Sequence, residues 1–170
     1  MLFRSIEISP LLFSGNRPLI NIRTFISYSY TDARYGNFKV ISIDDATNSL
    51  KESNFKNHKV ENAPKNILRT GITTEYKSLS VTYQFSYVDE AFTDANNTLY
   101  DITAQTGLIS SYSVSDLSAA LTLNNNLNFK AGINNLFDNT YITRRAPSIP
   151  GPGALPSDGR SIYISVGAKF

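Results

Sequence analysis

The end of the chain, residues 160–170, alternates between apolar and polar side chains with a strict period of two. Ile162, Ile164, Val166, Ala168 and Phe170 share one parity, and small or polar residues occupy the other. This pattern predicts a β-strand with one apolar face. At the edge of a soluble sheet such a strand would promote unwanted pairing with other chains. In a transmembrane β-barrel its apolar parity faces lipid, so the pattern favours an antiparallel membrane barrel.

The same alternation recurs upstream and predicts an all-β chain of about seven strands. They cover residues 2–13, 19–31, 66–76, 79–88, 112–123, 127–134 and 160–170. The connections alternate between short turns, at 14–17, 77–78 and 124–126, and long polar stretches, at 32–63, 89–111 and 135–159. Outer-membrane barrels show this asymmetry, with short periplasmic turns and long external loops. Structureless loops beyond about 15 residues are uncommon in compact soluble domains.

Charged side chains avoid the apolar parity of these strands. Those on the polar parity are Glu7, Arg23, Arg69, Glu75, Asp116, Lys130 and Lys169, and Arg4 is the one exception. A lipid-facing Arg or Lys near mid-bilayer costs roughly 2–4 kcal/mol, so a membrane sheet is expected to exclude them. A half-buried soluble sheet also excludes charge from its core face. The charge pattern therefore indicates a one-sided apolar sheet and leaves both settings open.

Composition excludes several other classes of protein. A chain of 170 residues with a formal charge of +2 is one domain without the excess of basic residues that would indicate a nucleic-acid partner. It has no Cys, so disulfides and thiolate metal sites are excluded. No run of about 18 apolar residues could form a spanning helix. Arg4, Glu7 and Pro10 interrupt the first ten residues, so we expect no export signal within this chain.

The residues show no pattern typical of an enzyme or of a metal site. The single histidine, His58, lies in a polar stretch and is expected to be a surface loop residue. Asp89, Glu90, Asp94 and Asp101 cluster in one loop, but their spacing matches no calcium-binding loop. We therefore predict no catalytic residues, no metal ligands and no resident cofactor.

Four motifs near the end of the chain resemble the C-terminal region of TonB-dependent outer-membrane receptors, and the likeness is greatest to receptors of the ferric-dicitrate siderophore type. These motifs are Gly132-Ile-Asn-Asn-Leu-Phe-Asp138, Tyr141-Ile-Thr-Arg-Arg145, Pro150-Gly-Pro-Gly153 and Gly159-Arg-Ser-Ile-Tyr163. The resemblance implies a 22-stranded barrel with a plug, which imports an Fe(III) chelate with energy supplied through TonB. Residues 1–170 would then be the C-terminal part of the barrel domain, without plug or earlier strands. By itself such a fragment would form an open, curved sheet.

The resemblance also implies site residues and partners. Arg144, Arg145 and Arg160 could contact an anionic ferric chelate, because guanidinium groups bind carboxylates in a bidentate manner. Alternatively they pair with Asp138 or Asp158, or contact lipopolysaccharide phosphates. Ile164, Val166, Ala168 and Phe170 would form the terminal signal that the barrel-assembly machinery reads. Outer-membrane lipid and lipopolysaccharide would surround the strands, and TonB would act only through regions absent from this chain.

Two other interpretations of the sequence remain. One is a small complete outer-membrane barrel of about eight strands, which the odd strand count and the long loops disfavour. The other is a soluble β-sandwich binding module, in which protein elements would cover the terminal strand. An odd number of strands leaves two open edges, so we expect the fragment alone to be incapable of transport.

Overall fold

The computed structural model describes residues 2–8, 20–44, 47–124, 126–146, 148 and 152–168, all of which lie in strands, turns or irregular segments. The strands are β1 (Leu2–Ile8), β2 (Ile20–Tyr30), β3 (Lys39–Asp44), β4 (Ser49–Asn54), β5 (Asn66–Tyr76), β6 (Leu79–Val88), β7 (Ala91–Phe92), β8 (Leu108–Ile109), β9 (Tyr112–Asn124), β10 (Leu127–Asn134), β11 (Ile142–Ala146), β12 (Gly153–Pro156) and β13 (Ser161–Ala168). Within these residues no helix is long and apolar enough to cross a bilayer.

Seven of the strands form one antiparallel sheet in the order β1-β2-β5-β6-β9-β10-β13. Each strand pairs with the next long strand along the chain, so the sheet is an up-and-down meander. The prediction of an all-β chain with about seven long strands is confirmed, and β5, β6 and β10 have the predicted bounds. The predicted first turn at 14–17, together with Lys169 and Phe170, lies outside the described residues.

The remaining strands form three two-stranded hairpins, β3–β4, β7–β8 and β11–β12, within the long connections. The prediction that residues 32–63 contain little strand structure was therefore wrong. β3 has adjacent apolar residues, Val40 and Ile41, so it lacks the period of two that identified the other strands. Its pairing with β4 and the ion pair between Lys39 and Glu52 stabilise the hairpin locally.

The register of the sheet places the apolar parity of its strands on one face. One row of directly paired residues crosses six strands and consists of Thr24, Ile72, Tyr83, Leu117, Ile133 and Ile162. The adjacent row, which points to the other face, consists of Arg23, Thr73, Thr82, Ser118, Gly132 and Tyr163. Successive residues of a strand point to opposite faces, so the sheet has one apolar and one largely polar surface.

Tyrosines mark the two ends of the apolar face. Tyr28 and Tyr87 flank Leu68 at the end that carries the long loops, and Tyr76 lies at the end that carries the short turns. The strand from Leu68 to Tyr76 rises about 26 Å at about 3.3 Å per residue. Strands of outer-membrane barrels tilt by about 35–45°, so this length spans about 20 Å across the membrane, somewhat less than the apolar band of about 25 Å between their aromatic girdles.

The apolar face is not covered by protein among the described residues. On β13, Ile162 is 71% and Ile164 78% exposed, and the buried apolar side chains, such as Phe55 and Ile109, lie in the long connections instead. A sandwich would bury this face under a second sheet, and a complete small barrel would pair β1 with β13. The described strands do neither, and the sheet is open. Lipid is the environment that suits such a surface.

The polar face contains two buried glycines beneath aromatic rings. Gly132 lies under Tyr163, where an added Cβ would be 2.5 Å from the ring Cζ and Oη atoms. Gly71 lies under Phe25, and a Cβ there would also be 3.1 Å from the backbone oxygen of Tyr83. A side chain at either position would displace the ring that covers it.

We expect lipid and water contact to alternate along β5. The chain has no Cys, so Thr74→Cys and Thr73→Cys each introduce a single site for a nitroxide label. In lipid vesicles the label at position 74 should be relaxed more by oxygen and the label at position 73 more by a water-soluble nickel complex, because the two residues face opposite sides. Equal accessibility of the two labels to the nickel complex would contradict a lipid-facing surface.

We also expect Gly71→Ala to destabilise the sheet by about 1–3 kcal/mol, the usual cost of overpacking. The added methyl group would displace the Phe25 ring and press on the backbone of β6. Gly36→Ala is the matched control, because no atom lies within 4 Å of a Cβ at that position. Urea unfolding of the detergent-refolded protein, followed by circular dichroism, measures the stability of both variants. Similar unfolding midpoints for the two would show that the Phe25 ring moves aside without cost.

Candidate functional site

The three long connections leave the sheet at the same end of its strands. We call them loop A (31–65), loop B (89–111) and loop C (135–160). In an antiparallel meander, alternate connections lie at the same end of the strands, so the turn at Lys77 and Ser78 lies at the opposite end. Residues that are far apart in the sequence can therefore meet in a single layer above the sheet.

Loops A and B are joined by hydrogen bonds between Asn97 and Lys59. The Lys59 backbone N–H donates to Asn97 Oδ1 at 2.7 Å, and Asn97 Nδ2 donates to the Lys59 carbonyl at 2.8 Å. Asn97 has a φ of 57°, a left-handed conformation that asparagine tolerates well. The Lys59 ammonium also lies 3.6 Å from a Glu90 carboxylate oxygen and 5.4 Å from the ring centroid of Phe92. The side chain of Asn97 thus adds to the backbone hydrogen bond from the Asn62 N–H to the Phe92 carbonyl, at 2.7 Å, which also joins the two loops.

A small aromatic cluster packs within loop A. Tyr35 stacks on Phe38 with 4.7 Å between ring centroids, and Phe38 lies 5.7 Å from Phe55, which is only 8% exposed. His58 packs edge-on against Phe55, and its Nδ1 lies 2.8 Å from the Ala95 carbonyl oxygen. The single histidine is therefore half-buried and connects loop A to loop B.

Arg145 connects loops B and C. Its Nη1 donates to the Ala104 carbonyl at 3.0 Å and its Nη2 to the Leu108 carbonyl at 3.2 Å. Its Nε is buried and has no acceptor among the described residues. The guanidinium group that the sequence suggested for ligand contact thus holds two loops together.

The other two arginines lie in different surroundings. The Arg160 backbone N–H donates to Asp138 Oδ1 at 2.8 Å, and Arg160 Nη2 lies 3.7 Å from Asp138 Oδ2, so this residue adopts the alternative pairing with Asp138. Arg144 is exposed and forms no ion pair with any residue that the structure describes. Arg144 and Arg145 are adjacent in β11 and so point to opposite faces of its hairpin. The structure therefore does not bring the three arginines into one cluster.

Asn135 lies in the motif from Gly132 to Asp138, but the sequence assigned it no role. It is only 4% exposed and has a φ of 51° at the exit from β10. Its Oδ1 accepts from the Asn139 backbone N–H at 2.9 Å, and its own N–H donates to Asp116 Oδ1 at 2.8 Å. An asparagine directly after a strand is the available sequence signal for such a turn. These bonds set the path on which loop C leaves the sheet.

Asp94 and Asp101 of loop B each hold a separate turn, whereas Asp89 bonds to the neighbouring strand β5. Asp94 accepts from the backbone and hydroxyl of Thr98 at 3.0 and 2.8 Å. Hydrogen bonds from the Thr103 side chain, and then from the Thr103 and Thr106 backbones, hold the pKa of Asp101 down to about 2. Asp89 accepts from Asn66 at 2.7 Å. Among the described residues, no group of three or more His, Cys, Asp or Glu side chains could hold a metal ion.

A cavity of about 610 Å³ lies where loops B and C meet the end of the sheet. We call it the rim pocket, and its lining includes Tyr87, Ser110, Ser111, Tyr112, Thr140 and Tyr141. Tyr112 and Tyr141 are stacked with 4.3 Å between ring centroids, so the start of β9 and loop C share one aromatic wall. Arg145 also borders the cavity.

Comparisons with known proteins agree with this architecture. The model of a protein family described as TonB dependent receptor-like, beta-barrel matches residues 6–136, which is well over half of the chain. No curated protein matches the chain.

Solved structures of several receptors share the fold. The unliganded ferric citrate transporter FecA aligns with a TM-score of 0.68 at 18% identity, over 88% of this chain and 21% of that protein. The siderophore receptor PiuA from Acinetobacter baumannii aligns with a TM-score of 0.64 at 22% identity, over 99% of this chain and 22% of that protein. The ferric enterobactin receptor PfeA from Pseudomonas aeruginosa aligns with a TM-score of 0.56 at 16% identity, over 96% of this chain and 22% of that protein. The chain spans about a fifth of the length of each.

We expect Asn97→Ala to loosen the junction of loops A and B, because it removes both hydrogen bonds to Lys59. Trypsin should then cut loop A, which contains Lys51, Lys56, Lys59 and Lys65, several times faster than in the unmodified protein. Asn96→Ala is the matched control, since this neighbour is exposed and its side chain bonds to none of the described residues. Equal cleavage rates in the two variants would show that the Asn97 side chain does not hold the loops.

Proposed function

The chain belongs to the TonB-dependent receptor-like β-barrel family, and we propose that it forms part of the wall of an outer-membrane receptor that imports a ferric chelate. One observation carries this role above the others: the strand register places an apolar surface on one side and a polar surface on the other across the seven-stranded sheet. Lipid would contact the first and the lumen of the barrel would lie against the second. Capture and import need no covalent chemistry from the protein.

A larger assembly would carry out the transport itself. β1 and β13 form the two edges of the sheet, and neither has a partner on its outer side among the described strands. Open edges leave backbone groups unsatisfied in hydrocarbon, so further strands must join them before a barrel closes. TonB would supply energy through a part of the receptor that these strands do not provide.

The chelate we propose is of the ferric citrate type, an anionic complex with carboxylate oxygens on its surface. Arg144 suits such a ligand because its guanidinium group is exposed in loop C and unpaired within the described part of the chain. Arg145 and Arg160 would act by positioning, since Arg145 bonds to loop B carbonyls and Arg160 to Asp138. Fe(III) would enter as cargo and not as a resident metal of this chain.

The terminal strand would also be read during assembly. Ile164 and Val166 share the lipid-facing parity with Ala168 in β13, and Phe170 continues that parity beyond the described residues. We propose that these four residues form the signal for the barrel-assembly machinery. Outer-membrane lipid and lipopolysaccharide would then surround the assembled wall.

Uptake of radioactive iron in the organism that encodes the chain tests this role. Arg144→Gln should lower uptake of ferric citrate by about tenfold, because a charge-assisted hydrogen bond contributes roughly 1.5–3 kcal/mol. Uptake of a neutral ferric chelate through other receptors should not change. An uncoupler should stop import and leave surface binding intact.

Lys56→Gln is the matched control, because it removes another exposed positive charge, in loop A. If both variants reduce uptake equally, Arg144 acts only through net surface charge. Normal ferric citrate uptake after deletion of the gene, or absence of the protein from outer-membrane fractions, would contradict the proposed role.

A further inference from the structure

The rim pocket has no part in the proposed contact with the chelate. Its volume of about 610 Å³ falls within the range of roughly 300–1,000 Å³ that is usual for small-molecule sites. The residues that shape it come from the ends of β6 and β9 and from loops B and C. The contacts of Arg145 with Ala104 and Leu108 hold the two loops together beside it.

The polar groups in this lining are mostly uncharged hydroxyls. Ser110, Ser111 and Thr140 are exposed there, and their hydroxyls bond to none of the described residues. Arg145 is the charged residue of the lining: its Nη1 and Nη2 donate to backbone carbonyls, and its buried Nε has no acceptor among the described residues. The pocket therefore offers several hydroxyl donors and acceptors beside one guanidinium group whose terminal nitrogens are already bonded to carbonyls.

The aromatic wall adds a flat apolar surface to these hydroxyls. Tyr112 and Tyr141 stack with an angle of 16° between their rings, and each also carries a hydroxyl group. A polyanionic chelate would meet a single positive charge in this lining, on a guanidinium group already bonded to two carbonyls, and a hydrocarbon chain would leave the hydroxyls unpaired. A hydroxylated ring satisfies both surfaces, because its C–H groups can lie on the tyrosines while its hydroxyls pair with Ser110, Ser111 and Thr140.

We propose that the rim pocket binds a sugar ring. Tyr87 and Ser113, which are directly paired, lie on the lipid-facing parity at the loop end of the sheet, so the pocket lies at the height of the membrane interface. A free saccharide and the sugar headgroup of a glycolipid can both reach this position, and both present the same ring chemistry.

Saturation-transfer NMR on the full chain in detergent micelles tests this site with chitobiose, a soluble disaccharide, as the probe. When the tyrosine ring protons are saturated, the saturation should transfer to the C–H protons of the bound sugar ring and reduce their signals. Vesicles of phosphatidylethanolamine with lipopolysaccharide, compared with phosphatidylethanolamine alone, then distinguish the two sources. Displacement of chitobiose only by the lipopolysaccharide vesicles identifies a glycolipid headgroup, and chitobiose binding without such displacement identifies a free saccharide.

The variants separate the aromatic wall from the hydroxyls. Tyr141→Ala should weaken chitobiose binding about tenfold, whereas Tyr141→Phe, which keeps the ring, should weaken it less than about threefold. The double change Ser110→Ala with Ser111→Ala should also weaken binding about tenfold. Tyr100→Ala is the control, because this loop B tyrosine is 79% exposed and is not part of the lining.

Each variant is first compared with the unmodified chain by far-ultraviolet circular dichroism. If Tyr141→Ala does not fold, Tyr141→Phe and the serine double variant decide the result. The sugar site is overturned if neither chitobiose nor lipopolysaccharide binds, or if Tyr100→Ala weakens binding as much as the pocket variants. It is also overturned if ferric citrate or inorganic phosphate displaces chitobiose, since the pocket would then be an anion site.

Discussion

Hydrogen-bonded register is the constraint on which the rest of this structure depends. It aligns the apolar parity of successive strands, so that Ile72, Tyr83 and Leu117 lie side by side although they are far apart in the chain. A slip of one residue in any strand would turn its apolar side chains to the polar face. In β2 or β5 it would also turn Arg23 or Arg69 to the apolar face; on a face in contact with lipid, such a charge costs roughly 2–4 kcal/mol near mid-bilayer.

The same meander brings loops A, B and C together in one layer at one end of the strands. This layer has little apolar core beyond Phe55, Ala91, Ile109 and Ala146, so polar contacts hold much of it together. Asn97 joins loops A and B through the backbone of Lys59, and Arg145 joins loops B and C through carbonyl groups. Such contacts keep exposed loops in defined positions without a deep hydrophobic core.

Two neighbouring parts of this layer have different chemistry. Arg144 presents an exposed guanidinium group, whereas that of Arg145, one residue later, bonds to two carbonyls of loop B. The rim pocket beside Arg145 is lined largely by hydroxyls and aromatic rings. The alternation of side chains along β11 is what separates the two, because adjacent residues point to opposite faces.

The long strands and their two faces follow from the amino-acid pattern, since a period of two is a local property that needs no knowledge of the partner strand. Residues 66–76, 79–88 and 127–134 were identified to the residue in this way. The folded chain was needed to show that Arg145 bonds to Ala104 and Leu108, that Arg160 pairs with Asp138, and that residues 39–54 form a hairpin. Those outcomes depend on which loops meet above the sheet. Contacts between residues that are distant in the chain produce no periodic pattern in the sequence.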